Sequence, residues 1–373
     1  MGLTRPRASQ IQNIDYKQTA RAVTTSNIAN LSGGAPATVD GVSLAKNNRV
    51  LVTGQTTGSE NGIYKVTTVG AGSNGTRGLF AAGASPNNTT NTNVIEYINI
   101  ATIGDSSDFG DMTRAQSHRS SAASPTRGVM MGGLYSGPTY TAEIDYVTMA
   151  TTGNALDFGN TTQARAVGSG GGSATRALAA GGITPSKVDT IDYITIATLG
   201  NSTDFGNLTT ARQHHASVNN SIRCAWACGD TPTLVNTIDF VTIASTGNAT
   251  DFGDVGYQLC NSGAVSNQTR LVYSGGESPV SPNPRLNNIE FITFATTGNG
   301  TDFGDQMTLV NSPYGVSSPS RGVFMGGSGA TPTIQSIQIA TTGDSVLFGD
   351  LTSALYNVRG TITNGHRGVM AGG

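Results

Sequence analysis

Charged residues are scarce in this 373-residue chain, where Asp, Glu, Lys and Arg together make up 12% and the formal net charge is −2. A dedicated nucleic-acid-binding protein would carry a surplus of Lys and Arg, so we expect no nucleic-acid partner. Long apolar runs are also missing, because no stretch approaches 18 apolar residues, and we therefore expect no transmembrane helix and no membrane insertion. The first residues lack the cationic and then apolar pattern of a secretory signal.

Cysteine and tryptophan are rare. The chain has three cysteines, Cys224, Cys228 and Cys260, and a single tryptophan, Trp226. Cys224 and Cys228 flank Trp226 in one predicted strand, where four residues span roughly 13 Å, too far for a disulfide. No partner His or Cys follows at zinc-site spacing. We therefore interpret the cysteines as small buried apolar residues, and we predict neither a metal nor a cofactor.

Glycine, by contrast, is abundant, with 50 residues. Ile, Val, Tyr and Phe recur among the small polar residues in the alternation typical of short strands, which distinguishes the chain from a disordered polar one. This composition predicts an all-β protein with many short strands and tight turns.

One sequence unit recurs six times from about residue 77 onward. Each unit begins with an apolar strand that is opened by an arginine and usually closed by two glycines. A strand that starts at an isoleucine follows, and a turn then leads to the motif Asp-Phe-Gly. The arginines are Arg77, Arg127, Arg176, Arg223, Arg270 and Arg321, with a seventh copy at Arg367. The phenylalanines are Phe109, Phe158, Phe205, Phe252, Phe303 and Phe348, the last in a degenerate Leu-Phe-Gly.

The spacing within a unit varies mainly at one place. The isoleucine precedes the phenylalanine by 14 residues in all six units, and the next arginine follows after 18 residues five times and 19 once. The connection from the glycines to the isoleucine instead spans 12, 11, 9, 9, 13 and 7 residues. In repeat proteins such variable loops gather on one face, which is often the binding face.

Residues 114–162 show the content of one unit. A small-residue strand leads through a turn at Pro125 to an apolar strand that ends in Gly132-Gly133. An alternating strand and an outer strand at Leu156-Asp-Phe-Gly complete it. Four strands on a period of 45 to 51 residues predict a propeller blade.

This strand order and the Gly-Gly doublets resemble kelch repeats over roughly residues 75–373. Kelch blades normally anchor with tryptophan, where this chain has phenylalanine, and two units break the doublet with Ala82 or Cys228. The predicted fold is thus an all-β, kelch-like β-propeller of six four-stranded blades, preceded by a small N-terminal β segment. The resemblance implies no particular function.

The sequence does not decide how the ring closes, because it contains seven strands that begin with arginine but only six that begin with isoleucine. In a six-bladed ring the C-terminal small strand, about residues 355–363, would join the first blade. A seven-bladed ring would need two upstream strands, for which Val50-Leu-Val-Thr and Ile63-Tyr-Lys-Val are candidates.

Residues 1–73 lack the repeat, and we predict a separate N-terminal segment there, with the propeller at residues 74–373. Two of its stretches, residues 5–28 and residues 39–66, resemble segments of bacteriophage tail-fibre and tail-appendage proteins. The second stretch combines Asp40-Gly41, Arg-Val-Leu-Val and Asn61-Gly62-Ile-Tyr, in which the Asp-Gly and Asn-Gly pairs are turn signals. The repeats also look like those of marine phage tail proteins. The resemblance implies a segment that attaches the chain to a virion.

Several patterns could carry chemistry. Asp-Phe-Gly invites a kinase interpretation, but the phosphate loop and the His-Arg-Asp motif are absent. The acidic turns offer oxygen ligands for Ca²⁺, and His118, His214 and His215 lie in small-residue strands near the expected axis. We favour capping aspartates, no metal site, and arginines that bond between blades.

The variable loops are the stronger binding candidates, because proline stiffens a loop and tyrosine offers amphipathic contact area. Their alternative interpretation is that of tolerated surface connections. The candidate residues are Asn87, Asn88, Tyr135, Pro138, Tyr140, Lys187, Pro279, Pro282 and Arg285.

The resemblance to phage tail proteins implies a virion protein, located in the tail and made in the bacterial cytoplasm, and we expect it to be non-enzymatic. Its expected partners are other virion proteins, a host-surface glycan or protein, and further copies of itself, with a trimer as one form. The alternatives are a glycan-acting propeller enzyme, with carboxylates, Tyr or His converging in one pocket, and a purely architectural virion protein.

Overall fold

The computed structural model describes residues 77–84, 90–135, 139–279, 285–328, 332–355 and 360–371, and the backbone of six short strands before residue 77. The chain divides into two compact units, Met1–Asn74 and Gly75–Gly373. Within the described residues, no helix is long and apolar enough to cross a membrane.

The first unit contains six short strands. They are β1 (Leu3–Thr4), β2 (Ala22–Thr24), β3 (Thr38–Val39), β4 (Val42–Ser43), β5 (Arg49–Val52) and β6 (Gly62–Val66). One sheet has the order β1-β6-β5-β2, and β3 pairs with β4. The two candidate strands for a seventh blade, β5 and β6, are therefore paired with each other, with β1 and with β2.

The second unit is a six-bladed β-propeller of antiparallel sheets, which confirms the predicted fold class. Blade 1 contributes three described strands: β7 (Arg77–Ala84), β8 (Asn91–Asn99) and β9 (Ser107–Asp111). Blade 2 consists of β10 (Ser120–Ala123), β11 (Arg127–Tyr135), β12 (Thr139–Thr148) and β13 (Leu156–Asn160). Blade 3 has β14 (Ser169–Gly172), β15 (Arg176–Ala180), a loop hairpin of β16 (Ile183–Thr184) and β17 (Ser186–Lys187), then β18 (Thr190–Thr195) and β19 (Thr203–Asn207).

The remaining blades follow the same four-stranded plan. Blade 4 consists of β20 (Ala216–Asn219), β21 (Arg223–Ala227), β22 (Thr237–Thr242) and β23 (Thr250–Asp254). Blade 5 consists of β24 (Gly263–Ser266), β25 (Arg270–Ser274), β26 (Leu286–Thr293) and β27 (Thr301–Val310). Blade 6 consists of β28 (Tyr314–Ser317), β29 (Arg321–Met325), β30 (Thr333–Gln338) and β31 (Val346–Asp350), and a final hairpin pairs β32 (Gly360–Thr363) with β33 (Gly368–Ala371).

In blades 2 to 6 the small-residue strand lies innermost and the strand that carries the motif phenylalanine lies outermost. Inner strands of consecutive blades contact one another in the series β10, β14, β20, β24, β28 and β32. Small side chains suit this position because neighbouring backbones approach closely there. The inner strands therefore line the central channel of the ring.

The ring closes differently from the six-bladed expectation. β32 pairs with β33 rather than with β7. Ile362 of β32 occupies the space where a Cβ on Gly78 of β7 would lie. Val265 of β24 occupies the equivalent space at Gly322 of β29, and this contact joins an inner strand to the second strand of the next blade. The β32–β33 hairpin thus stands between blade 6 and blade 1.

The apolar core lies between blades. Phe205 of blade 3 is 2% exposed and packs with Trp226 and Val241 of blade 4. Its ring also meets Tyr193 of its own blade edge-on, at a centroid distance of 5.6 Å and an interplanar angle of 85°, which is a favoured aromatic geometry. Equivalent Tyr or Phe partners meet the phenylalanines of blades 1, 2, 4 and 5.

Each Asp-Phe-Gly segment is joined to a turn of the next blade, and we call this contact the turn joint. Between blades 3 and 4, Gly247 N donates to Phe205 O (2.7 Å) and Asn207 N donates to Asn248 Oδ1 (3.1 Å). A Cβ on Gly206 would lie 2.4 Å from Gly247 O, so only glycine fits. Corresponding bonds recur at all five joints between blades 1 and 6.

These contacts assign a structural role to the turn oxygens considered for Ca²⁺. Asn248 Oδ1 accepts the amide of the preceding blade, and Asp204 Oδ1 accepts Gly206 N at 2.9 Å within its own motif. A side chain that accepts a backbone amide in this way stabilises the turn.

The repeated arginines also link blades. Arg176 Nη1 donates to Ile243 O of the next blade at 2.9 Å, and its guanidinium lies 4.7 Å from the centroid of the Tyr193 ring. The same pair of contacts recurs for Arg77, Arg127, Arg223 and Arg270. Arg321 instead lies 5.7 Å from the centroid of the Phe348 ring, and Arg367 is exposed.

Candidate binding site at the channel mouth

The described variable loops of blades 2 to 6 lie beside the segments that lead into the inner strands. In blade 4, Gln213 N donates to Asp230 O (3.1 Å) and Asp230 N donates back to Gln213 O (2.9 Å). Matching bridges join loop and segment in the other four blades. The variable loops therefore meet the channel at one of its ends, and we call this surface the loop face.

A ring of left-handed residues forms the mouth of the channel on the loop face. In each of blades 2 to 6, the residue two positions before the inner strand has a φ between 53° and 59°. The five residues are His118, Val167, His214, Asn261 and Ser312. This backbone costs an L-residue roughly 1–2 kcal/mol.

Hydrogen bonds between units explain why the conformation recurs. Asn261 N donates to His214 O at 3.1 Å, and Ser312 N donates to Asn261 O at 2.8 Å. The same backbone conformation thus recurs in five units, while the side chain varies among His, Val, Asn and Ser. Varied side chains on a constant backbone are typical of a recognition surface.

A cavity of about 350 Å³ opens at this mouth, against the inner strands of blades 4 to 6 and the C-terminal hairpin. Its volume is at the lower end of the range for small-molecule sites. Its polar lining comprises His214, His215, Ser217, Asn261, Ser262, Ser312, Tyr314 and Thr361.

The lining is polar without formal charge, because its described residues include no Asp, Glu, Lys or Arg. Burial, followed by the positive charge of Arg212, lowers the pKa of His215 to about 3, so this imidazole is neutral at physiological pH. Hydroxyl, amide and imidazole groups can donate and accept hydrogen bonds. Such a surface suits an uncharged hydroxyl-rich ligand, since a charged ligand would lose hydration without gaining a counter-charge.

An ion pair lies at the rim. Lys187 Nζ lies 3.0 Å from Asp230 Oδ2 and also donates to Thr231 O, which joins the loop of blade 3 to that of blade 4. His214 Nδ1 lies 3.8 Å from Asp230 Oδ1. Lys187, a predicted loop candidate, thus fixes the loop beside the cavity and is itself partly buried.

The other loop candidates that the structure describes lie outside the cavity. In blade 2, the Tyr135 ring lies under the Arg114 guanidinium, 4.5 Å from its centroid, and Tyr140 pairs with Leu134. In blade 5, Pro279 is exposed and Arg285 pairs with Glu277. The structure brings none of these side chains into the cavity. Asn87, Asn88, Pro138 and Pro282 lie outside the described residues.

The sequence singled out His214 and His215 as residues near the axis but did not identify Asn261, Ser312 or Tyr314. The sequence does contain a signal that marks the left-handed residues, because each of them precedes the arginine of its unit by nine positions. Among the described residues, no group of three His, Cys, Asp or Glu could hold a metal ion.

The three cysteines are free and buried. Burial raises the pKa of the Cys260 thiol to about 12 and raises that of Cys224 and Cys228 as well. A protonated, buried thiol is a poor nucleophile, so these residues act as packing groups.

No protein-family model matches the chain, and a search of curated proteins finds no match. The class of protein that the fold defines is a β-propeller, which is compatible with a binding or a structural role.

Proposed function

We propose that this chain is a non-enzymatic structural protein of a bacteriophage virion, in the tail or its fibres, and that its loop face binds the host surface or a neighbouring virion protein. The observation that carries the binding role is the meeting of five variable loops, a ring of varied side chains and a cavity at one mouth of the channel. A rigid scaffold that presents variable positions is a common solution for recognition.

The virion assignment rests on the sequence resemblance of residues 5–28 and residues 39–66 to tail-appendage segments. On this proposal the N-terminal unit attaches the chain to the particle, and the propeller is the distal binding unit. The partners are other tail proteins, further copies of the chain in a homo-oligomer such as a trimer, and a glycan or protein of the host surface. The chain is made in the bacterial cytoplasm and resides in the virion.

The chemistry of the cavity favours binding over glycan cleavage. Most glycosidases use two carboxyl groups on opposite sides of the scissile bond. The described lining contains His214, His215 and Tyr314 but no carboxylate. Neutral hydrogen-bonding groups beside an aromatic ring suit an uncharged sugar, and we propose a neutral host glycan as the ligand of this cavity.

Adsorption of the purified full-length protein to host cells and to a glycan array tests the proposal. We expect binding by the wild-type chain and at least a tenfold loss for the double variant His214→Ala/Asn261→Ala, because about 1.4 kcal/mol of lost hydrogen bonding corresponds to a factor of ten. The matched control is Leu199→Ser. Leu199 is 51% exposed in the turn after the third strand of blade 3, at the end of the blade opposite the loop face.

Each outcome separates the alternatives. Equal losses for the control and the double variant, or no binding by the wild type, would contradict recognition through the loop face. Release of reducing sugar from a bound glycan would establish an enzyme. Particle imaging that buries the loop face against tail proteins, without host adsorption, would support a purely architectural role.

A further inference from the structure

The outer strand of blade 6 differs from the same strand in the other five blades. Phe109, Phe158, Phe205, Phe252 and Phe303 are 2% or 3% exposed, because each packs between its own blade and the next. Phe348, at the same position of β31, is 53% exposed. A large aromatic residue that is buried in five units is therefore half uncovered in the sixth.

The backbone at this position is equally free. At the turn joint between blades 5 and 6, Gly343 N donates to Phe303 O, and a Cβ on Gly304 would lie 2.6 Å from Gly343. At blade 6, no turn amide of the described residues donates to Phe348 O, and a Cβ on Gly349 would meet nothing within 4 Å. Blade 6 thus presents one half of a turn joint.

The sequence changes in the same place. Five units have Asp before the phenylalanine, and the sixth has Leu347. Leu347 is 58% exposed, and Val346 before it is 62% exposed. Three consecutive exposed apolar residues form a patch that soluble proteins usually cover.

The hairpin that follows blade 6 has an edge with no strand partner among the described residues. β33 corresponds to the second strand of a blade, and in every blade that strand pairs with a third strand. Among the described residues, β33 pairs only with β32. On the other side of this hairpin, blade 1 presents the turn Ile103-Gly104, with Ile103 96% exposed. Among the described residues, no backbone carbonyl accepts a hydrogen bond from Gly104 N, whereas the equivalent amide is bonded at all five turn joints. A free strand edge readily accepts another strand.

We propose that the space outside the β32–β33 hairpin, between the outer strand of blade 6 and the turn of blade 1, is a docking site for a β-hairpin of a partner protein. One strand of that hairpin pairs with the edge of β33. The Gly-Asn or Gly-Asp turn of the same hairpin packs on Phe348 and Gly349. The second strand carries an aromatic residue and a glycine, which receive the turn of blade 1 at Gly104. The partner is recognised by backbone pairing and by the two joints, in the manner of β-strand addition.

The five turn joints within the chain define this chemistry, because the open surface continues an interface that the molecule already forms five times. Each joint combines a buried phenylalanine, a glycine-to-glycine backbone contact and an Asn or Asp oxygen that accepts an amide. A generic apolar patch would show none of these directional elements. This site lies at the side of the ring, and it does not depend on the loop-face proposal.

A cyclised peptide with the sequence of residues 188–207, the third and fourth strands of blade 3, serves as the probe. Cyclisation limits the ordering cost of a hairpin that is marginal in isolation. We expect the full-length chain to bind the peptide, measured by fluorescence anisotropy. Hydrogen exchange at Asp350 and along β33 should slow on binding.

Two variants test the geometry. Gly349→Ala places a Cβ where the incoming turn must lie, and we expect about tenfold weaker binding or more, whereas Leu347→Asp restores the residue of the other units and should bind like the wild type. Thermal unfolding of both variants checks that the fold is kept, and Phe348→Asp provides a second disruption if Gly349→Ala unfolds.

Absence of peptide binding to the wild-type chain would overturn the proposal. Slow exchange at Asp350 and β33 in the free protein would also overturn it, because a segment of the same chain would then cover the site. Equal losses for Leu347→Asp and Gly349→Ala would show a non-specific apolar contact instead of a turn joint.

Discussion

Arg212 and Asp239 form an ion pair from which water is excluded: Nη2 and Oδ2 lie 2.7 Å apart, and both side chains are 0% exposed. Burial lowers the pKa of Arg212, and the charge of Asp239 partly offsets this. Asp239 also accepts Thr209 Oγ1 at 2.6 Å. The pair links the segment before an inner strand to the third strand of blade 4.

Removing one partner of this pair should destabilise the fold strongly. Arg212→Met leaves a buried carboxylate without a counter-charge, so we expect a loss of about 3–5 kcal/mol in the free energy of unfolding. Arg212→Met/Asp239→Leu should recover most of that loss. Urea denaturation measures both, and equal losses for the single and the double variant would contradict the account. The surface control is Arg114→Met, whose pair with Glu143 is 44% and 29% exposed and should cost less than about 1 kcal/mol.

His215 should make stability depend on pH. Burial lowers its pKa in the folded chain from 6.5 to about 3. Between these values the unfolded chain binds a proton that the folded chain does not, so stability is lost as pH falls below about 6.5. We expect this residue to contribute about 1 kcal/mol of loss per pH unit in that window. The variant His215→Ser carries the residue that stands at the same place in the next unit, Ser262. The free energy of unfolding of this variant should fall less steeply than that of the wild type as pH is lowered. Parallel slopes for the two proteins would refute this origin.

The asparagine of the turn joint should contribute measurably. Asn299 Oδ1 accepts Asp254 N at 3.0 Å, so Asn299→Ala should cost about 1 kcal/mol. Asn299→Asp should be near neutral, because Asp344 makes the same contact with Asp305 N. Thermal denaturation reports both effects. Asp105→Ala in blade 1 is the control and should change nothing, since no described residue donates to its side chain; a cost equal to that of Asn299→Ala would argue against the joint.

Two phenylalanines of the same motif should differ in their contribution to stability. Phe205 is 2% exposed, so Phe205→Ala should cost about 3–5 kcal/mol through lost burial and a cavity. Phe348 is 53% exposed in the free chain, so Phe348→Ala should cost less than about 1 kcal/mol. Urea unfolding of the two variants provides the comparison. A large cost at Phe348 would show that the free protein already covers it.

Much of the fold was predictable from the sequence because the packing is local and repeated. The 14-residue interval places Ile191 and Phe205 on adjacent strands of one blade, and both are buried. The position of the variable loops on one face follows from the same regularity, because the third strand of every blade begins at the same end of the blade. The residues of the cavity were harder to predict, because Asn261 and Ser312 carry no motif beyond their distance from an arginine.

The sequence by itself determined the repeat, the strand types and the residues that anchor one blade to the next, because each of these depends on neighbours within about two units. Only the tertiary structure decided how the ring closes. Each blade adds an angle of rotation about the ring axis. The total rotation depends on all the blades together, so no single sequence unit encodes it. That total rotation places β32–β33 between blade 6 and blade 1, leaves Phe348 half exposed and assembles the cavity from four successive inner strands.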